Sequence, residues 1–492
     1  NISANLGGML TPFGNPQNLY LYSYFNIPTA EFCGIMLAPF LLAIALLALC
    51  CLPIKAVPLT IAQLVQLLYN IVDSIFVAQV CEDALTAVSL AFPAQNLMIG
   101  VATGTGVGIN ALLSRNLGAR DFDRVNKVAN NGVFLVFFSS LIFLLFGLFG
   151  TKLFFNTQVE ADSPIYGYGV DYLSIVCAAS FGLFGQVTME RLMQATGKTT
   201  LSMITQLSGA IINIILDPLL ILGIGPFPRL EAKGAAIATV VGQMVAFMIG
   251  IILNQKLNKE VKVSIKGFRP DFKMIGDIYK IGVPSIIMVG IGSCMTFGLN
   301  KILLSFSTTA AAVFGVYFKL QSFVFMPIFG LNNGVIPIIA FNYGARNKKR
   351  ITSTLKFGCT IAVSIMAVGT ALMWVMPETM LRLFDASEDM ISIGVPALRI
   401  ISTIFILAGA NISLGSSFQA LGKSHFATIV SFCRQIIVLL PAAYLLSKTG
   451  VLTNVWFAFP IAEVASLIVS LLSFRYVYKT LISKLDNGEK TA

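Results

Sequence analysis

The stretch "GARDFDR" at 118–124 returns as "GARNKKR" at 344–350, and that interval of 226 residues decides how the chain is built. The same interval pairs "AVPLTIAQ" (56–63) with "GVPSIIMV" (282–289), aligning Val57-Pro58 with Val283-Pro284. Within one residue of it, "QATGK" (194–198) pairs with "QALGK" (419–423). Three agreements in nearly one register mark an internal duplication, a common way of building membrane transporters.

What is duplicated is hydrocarbon. Of 492 residues 56% are hydrophobic and 11% charged, against about 25% charged in an ordinary soluble domain. Thirteen stretches are long and apolar enough to span a bilayer, near 33–52, 56–80, 88–113, 129–150, 164–187, 201–224, 234–255, 281–305, 309–341, 355–376, 391–413, 426–446 and 452–474; a span needs ~20 residues at 1.5 Å rise. They lack the period-two alternation of a barrel, and a helix satisfies its own backbone in lipid. The expected fold is an all-α membrane protein: one extra hydrophobic helix, then two six-helix repeats. An even number of spans per repeat gives both copies the same orientation, a parallel duplication. The expected segments are 1–52, an N-terminal lobe at 53–255, a basic linker at 256–280, a C-terminal lobe at 281–480 and a tail at 481–492.

The net charge of +11 sits in alternate loops: Arg115, Arg120, Arg124 and Lys127; Lys256, Lys259, Lys262, Lys266, Arg269, Lys273 and Lys280; Arg346, Lys348, Lys349 and Arg350. The loops between, such as "VCEDALT" (80–86) and "NTQVEADSP" (156–164), are poor in base or acidic. This positive-inside pattern puts the basic loops and the tail with Arg475 and Lys479 in the cytoplasm. It orients the protein without implying a nucleic-acid partner. Most of the eight cysteines fall in apolar spans without CxxC spacing and read as small buried hydrophobes. A single histidine, His425, cannot assemble a His-based metal site or a Ser/His/Asp triad, so neither an enzyme nor a cofactor is expected.

Polar residues inside the spans carry the function. A charge at mid-bilayer costs about 2.5–3.5 kcal/mol on insertion scales, so it must face the bundle interior or water. Asp73 lies in "LLYNIVDSIFVAQ" (67–79), with Gln66 and Asn70 on its face; Asn213 and Asp217 lie four apart in "IINIILDPLL" (211–220). Pro218 has no N–H to give, which leaves the Ile214 carbonyl free in principle. Carboxylate, amide oxygen and carbonyl suit a proton or Na⁺; the alternative is hydrogen bonding between helices. The second half offers Lys319, Gln321, Arg434 and Glu463, as cavity-lining groups or as a structural pair, Glu463 with Arg434 or with Lys319. The glycine run "TGTGVGIN" (103–110) lies within a span, follows no strand and lacks the Lys-Ser/Thr ending of a nucleotide loop, so close helix packing is expected.

Residues 1–52 stand outside the repeat. Their "NLGGMLTPFGNPQNLYLYS" (5–23) resembles the re-entrant hairpin of citrate- and arsenite-type permeases, without an opposing repeat to complete a site. A fusion remnant or an added structural element is expected there, and a chain opening on Asn1 rather than Met leaves room for a missing natural N-terminus.

From about 53 to 480 the chain resembles the multidrug and toxic compound extrusion (MATE) family. The resemblance rests on "AVPLTIAQLVQLLYNIVDSIFVAQV" (56–80), "GVGINALLSRNLGAR" (106–120), "FKLQSFVFMPIFGLNNGVIPIIAFNYGAR" (318–346) and "SFCRQIIVLLPAAYLL" (431–446). It implies two six-helix lobes and export of organic cations or other amphipathic compounds against inward H⁺ or Na⁺. It also implies that Asp73, Asn213 and Asp217 form the ion site. One branch of the family uses acids in helices seven and ten, which "SIIMVGIGSCMTFGLN" (285–300) and "ISIGVPALRIISTIFILAGANISL" (391–414) lack. The expected partners are a small-molecule substrate and the lipid bilayer, with the protein a monomer in the plasma membrane. Rival readings are a lipid-linked precursor flippase, a membrane scaffold or receptor, and an anion permease.

Overall fold

The computed structural model describes residues 82–485, apart from 158, 161, 224–226, 265–267 and 383–386. The hairpin, the spans at 33–52 and 56–80, and with them Gln66, Asn70 and Asp73, lie outside the described residues.

All regular structure among the described residues is helical. It comprises α1 (Glu82–Gly118), α2 (Phe122–Asn156), α3 (Pro164–Ala178), α4 (Phe181–Ala195), α5 (Thr199–Ile221), α6 (Ala232–Leu257), α7 (Phe272–Leu304), α8 (Thr308–Gly344), α9 (Lys348–Val375), α10 (Glu388–Ser402), α11 (Phe405–Ala420), α12 (Ser424–Ser447) and α13 (Leu452–Ile482), with a short helix at Pro377–Arg382. Nine of these are long and apolar enough to cross a membrane; α3 with α4 and α10 with α11 make two more spans, bent by 45° and 48°. These eleven correspond one for one to the expected spans within the described range. The two bends correct an expectation, since 164–187 and 391–413 read as continuous. At the second bend side chains from α9 take up carbonyls near the break: Thr370 Oγ1 donates to the Ser402 carbonyl at 2.9 Å and Trp374 Nε1 to that of Arg399 at 3.1 Å. Such substitutions let a broken helix persist at membrane depth.

The opening motif is a helix corner. Arg120 and Arg346, 226 residues apart, hold φ of 59° and 54°, and the next residue caps the following helix. Asp121 accepts from the Arg124 N–H at 3.1 Å, and Asn347 from the Arg350 N–H at 3.0 Å. Asp and Asn both fill this N-cap role, which is why the motif survives an Asp-to-Asn difference between its copies.

The described residues divide into two compact units, 82–286 and 287–485, the division falling within α7. In the first unit α1 and α7 approach backbone to backbone: a Cβ on Gly282 would lie 2.8 Å from the Gly104 carbonyl oxygen, and one on Gly104 2.9 Å from that of Gly282. The glycine run therefore serves packing, as expected. In the second unit one core runs from Leu299 to Ile482, around the fully buried Phe314, Phe405, Phe418 and Trp456. The cysteines divide: Cys177 is buried, whereas Cys294 is exposed and Cys359 and Cys433 are half-buried, all four being free thiols. Burial was expected of each, but apolar helices of a membrane bundle also carry outward faces.

Candidate functional site

In the first unit the site is made by two helices that touch along glycines. A Cβ on Gly209 of α5 would lie 2.9 Å from the Gly242 carbonyl oxygen on α6, and one on Gly242 2.7 Å from that of Gly209. One turn beyond Gly209 comes Asn213, whose Cβ lies 3.3 Å from the position a Gly242 side chain would take, and one turn further Asp217. Their shared helix face puts both inside the unit, 2% and 0% exposed. Asn213 Nδ2 is shared between two acceptors, Asp217 Oδ1 at 3.3 Å and Thr239 Oγ1 of α6 at 3.4 Å. Both contacts are longer than the 2.7–3.2 Å usual for N–H···O. Asn213 Oδ1 is buried without a hydrogen-bond partner among the described residues, and Pro218 sits within α5 as expected. The arrangement gathers a carboxylate, an amide oxygen and a hydroxyl, all hard oxygen donors of the kind that alkali and alkaline-earth cations prefer. Among the described residues no cluster of three or more His, Cys, Asp or Glu side chains suits a transition metal.

The second unit buries its carboxylate elsewhere, on the last span rather than the one before it. Glu463 of α13 is 3% exposed. Its Oε1 accepts from Asn411 Nδ2 of α11 at 2.6 Å, and Asn411 also donates to Ser466 Oγ at 2.8 Å. Its Oε2 faces Arg434 Nη1 of α12 at 3.4 Å. Of the two pairings the sequence left open, the structure forms that with Arg434; Lys319 is exposed on α8. Arg434, Glu463 and Gln321 line a cavity of about 70 Å³ whose other walls include Phe314, Tyr317, Phe318, Phe325, Phe405 and Phe459.

Several groups escaped the sequence reading. Thr239, Asn411 and Ser466 are neutral and carry no local signature. Glu190 and Arg191 of α4, each 8% exposed, carry one: an adjacent acid and base just beyond residue 187, where the expected span stopped. Gln186 Nε2 donates to Glu190 Oε1 at 2.9 Å, and Arg191 Nη1 to Gln194 Oε1 at 2.8 Å, so local amides satisfy both. Beyond the spans, Lys198 Nζ meets Glu260 Oε2 at 2.5 Å. Partial burial, the largest single influence, would raise the Glu260 carboxyl, but the Lys198 hydrogen bond, the residue's own backbone N–H and the Lys198 charge together outweigh it and hold the group below the usual carboxylate range.

The comparisons with known proteins agree with this architecture. The MatE family model matches twice, over residues 58–219 and 284–445, the two matches standing 226 residues apart like the sequence repeat. The multidrug export protein MepA of Staphylococcus haemolyticus is 29% identical over 413 residues, covering 83% of this chain and 89% of its own. MepA of Staphylococcus aureus strain MSSA476 is 29% identical over 449 residues, covering 88% and 95%. A solved outward-facing multidrug resistance MATE family transporter of the MOP superfamily superposes with a TM-score of 0.81 at 24% identity, over 87% of this chain and 95% of that one.

Proposed function

This chain belongs to the MatE family, and from that premise we propose that it is a secondary active multidrug efflux antiporter. It exports organic cations and other amphipathic compounds in exchange for H⁺ or Na⁺ by alternating access. It works as a plasma-membrane monomer with its basic loops in the cytoplasm, and it catalyses no covalent chemistry. The names of the MepA relatives support the substrate class. The observation that carries the coupling is the buried Asn213–Asp217 pair of α5, joined to Thr239 of α6.

The geometry suggests how occupancy becomes movement. Asn213 divides one amide between a carboxylate on its own helix and a hydroxyl on the next. A proton or Na⁺ on the Asp217 carboxylate weakens it as an acceptor, and the amide then turns to Thr239, tightening α5 against α6. Release of the cation returns the amide to Asp217. Asp73 is a further ligand in this scheme, by family resemblance. An ion moves the lobe between two packings only by the difference in its affinity for them. A 99:1 reversal from 1:99 requires about 5.5 kcal/mol of such difference, which a buried carboxylate can supply because its charge is costly unless balanced.

The test is efflux of a fluorescent organic cation from vesicles, with pH and Na⁺ gradients imposed separately. Efflux driven by one of the two gradients is the expected result. Efflux indifferent to both would overturn the antiporter reading.

A further inference from the structure

The aromatic cavity of the second unit already contains a delocalised cation, and it belongs to the protein. We propose that Arg434 is a tethered competitor: its guanidinium occupies the carboxylate, Glu463, of a subsite for flat, delocalised organic cations, which bind by displacing it. The proposal rests on the efflux reading above and names a place in the second unit where such a substrate is held.

Three features separate this arrangement from an ordinary structural ion pair. The first is that Glu463 is fixed without help from Arg434. Asn411, itself held by Ser466, donates to Oε1 at 2.6 Å, and the Ser466 hydroxyl donates to the Glu463 carbonyl at 2.9 Å. The carboxylate therefore stays in place whichever cation faces Oε2. Next, the Arg434 contact is weak for its type. A guanidinium can grip a carboxylate through two parallel N–H bonds of about 2.7–2.9 Å, yet here one nitrogen approaches one oxygen at 3.4 Å. The two partners also differ in access, since the Arg434 side chain is 31% exposed and that of Glu463 only 4%. The acid is the fixed floor and the base the movable part.

The third feature is the backbone under Arg434. Residues Cys433–Leu439 of α12 form a π-helical turn, a rare element found mostly at functional sites because it accommodates one extra residue in a helix. The same part of the repeat is two residues longer in the second copy. Gly197 and Gly422, before α5 and α12, stand 225 residues apart; Gly223 and Gly450, after them, stand 227 apart. A π turn that shifts along its helix rotates the residues it passes, so Arg434 can leave Glu463 without breaking the span.

The chemistry of the walls matches the displaced group. Phe314, Tyr317, Phe405 and Phe459 line the cavity, and aromatic faces attract cations that shed water readily. With Arg434 in place the cavity is about 70 Å³, well below the roughly 300–1,000 Å³ of a site for a drug-sized ligand, so such a cation enters as the arginine leaves. Arg434 and Glu463 are the charged residues among those lining the cavity. Exchanging one delocalised cation for another keeps the carboxylate balanced, whereas a neutral or anionic compound would strand it. The returning arginine then expels what it admitted.

The distinguishing experiment is ethidium binding to the purified protein in lipid nanodiscs, without any gradient, read by fluorescence anisotropy. Arg434→Gln removes the competitor and is expected to tighten binding about tenfold, the gain that follows when a binding-competent state is no longer masked. Glu463→Gln is expected to weaken binding at least tenfold relative to wild type, and Arg434→Lys, which keeps a charge but loses the fork, to fall between wild type and Arg434→Gln. Should Arg434→Gln not fold, Arg434→Lys carries the test, with tighter binding than wild type required. Unchanged or weaker binding in the folded arginine variants, or full affinity in Glu463→Gln, would overturn the subsite. Gradient-driven ethidium efflux by the wild type, measured in parallel, keeps the readings apart. Efflux with no gain in the arginine variants leaves the antiporter and removes the subsite, while a gain in binding with no efflux does the reverse.

Discussion

Asp217 in the first unit and Glu463 in the second are both buried, on the fifth and the sixth span of their repeats, and their surroundings differ. Asp217 is hydrogen-bonded to a neutral amide on its own helix, which is shared with a hydroxyl on the next. Glu463 draws its partners from two other helices, an amide on α11 and a guanidinium on α12. An acid faced by oxygens and an amide suits a small cation from outside, whereas an acid faced by a guanidinium already holds a cation of similar shape to an organic substrate. On the proposed reading a duplicated frame has acquired two chemistries, the first unit reading the ion and the second the larger cation.

The comparison breaks most severely at the helix contact that positions Asn213. A leucine at Gly242 would drive its Cβ into the Gly209 carbonyl, 2.7 Å away. Gly242→Leu should cost about 3 kcal/mol or more by overpacking, lowering the melting temperature and abolishing ion-driven efflux. Gly290→Ala in α7, where a Cβ meets nothing within 4 Å, should stay within about 0.5 kcal/mol of wild type. Equal losses in both would mean that α5–α6 contact has no special role.

A smaller effect sharpens the second side. Asn411→Ala strands the buried Glu463 and Ser466 acceptors, at a cost of about 2 kcal/mol, visible as a lowered melting temperature. The choice of coupling ion should be unchanged in vesicle efflux. A switch of that choice would move ion reading into the second unit.

The smallest effect lies outside both sites. Because Lys198 holds the Glu260 carboxyl below its ordinary range, the contact stabilises the fold above about pH 4.3, the unfolded-state value, and is lost as pH falls through the depressed folded value. Glu260 is 47% exposed, so about 0.5 kcal/mol is the expected size. A melting-temperature series from pH 6 to 3 should show the loss in wild type and not in Glu260→Gln.

The sequence made the frame legible because hydrocarbon length and repeat interval are local quantities. The eleven described spans fall where apolar runs of sufficient length occur, and "GARDFDR" with "GARNKKR" announced the repeat, though not the helix corner that both copies form. The Asn213–Asp217 pair was equally readable, since spacing four on a helix fixes a common face. Thr239 was not, because nothing in its own helix distinguishes a hydroxyl that meets an amide from one that bonds its own carbonyl. Asn411 escaped for the same reason, and the choice between Arg434 and Lys319 needed the positions of three helices. Glu190 and Arg191 lie just beyond the expected span 164–187 and were not singled out, although neighbouring amides hold both inside the unit. The bends between α3 and α4 and between α10 and α11 were hidden because their residues are as apolar as those of a straight helix.

One measurement bears most directly on the claim that Asp217 reads the ion and does not hold the substrate. Vesicles carrying Asp217→Asn would be assayed for gradient-driven efflux of a fluorescent cation and, separately, for its gradient-free exchange across the membrane. The account predicts that gradient-driven efflux disappears while exchange persists. Normal gradient-driven efflux by that variant, with protein present in the membrane at the wild-type level, would contradict it.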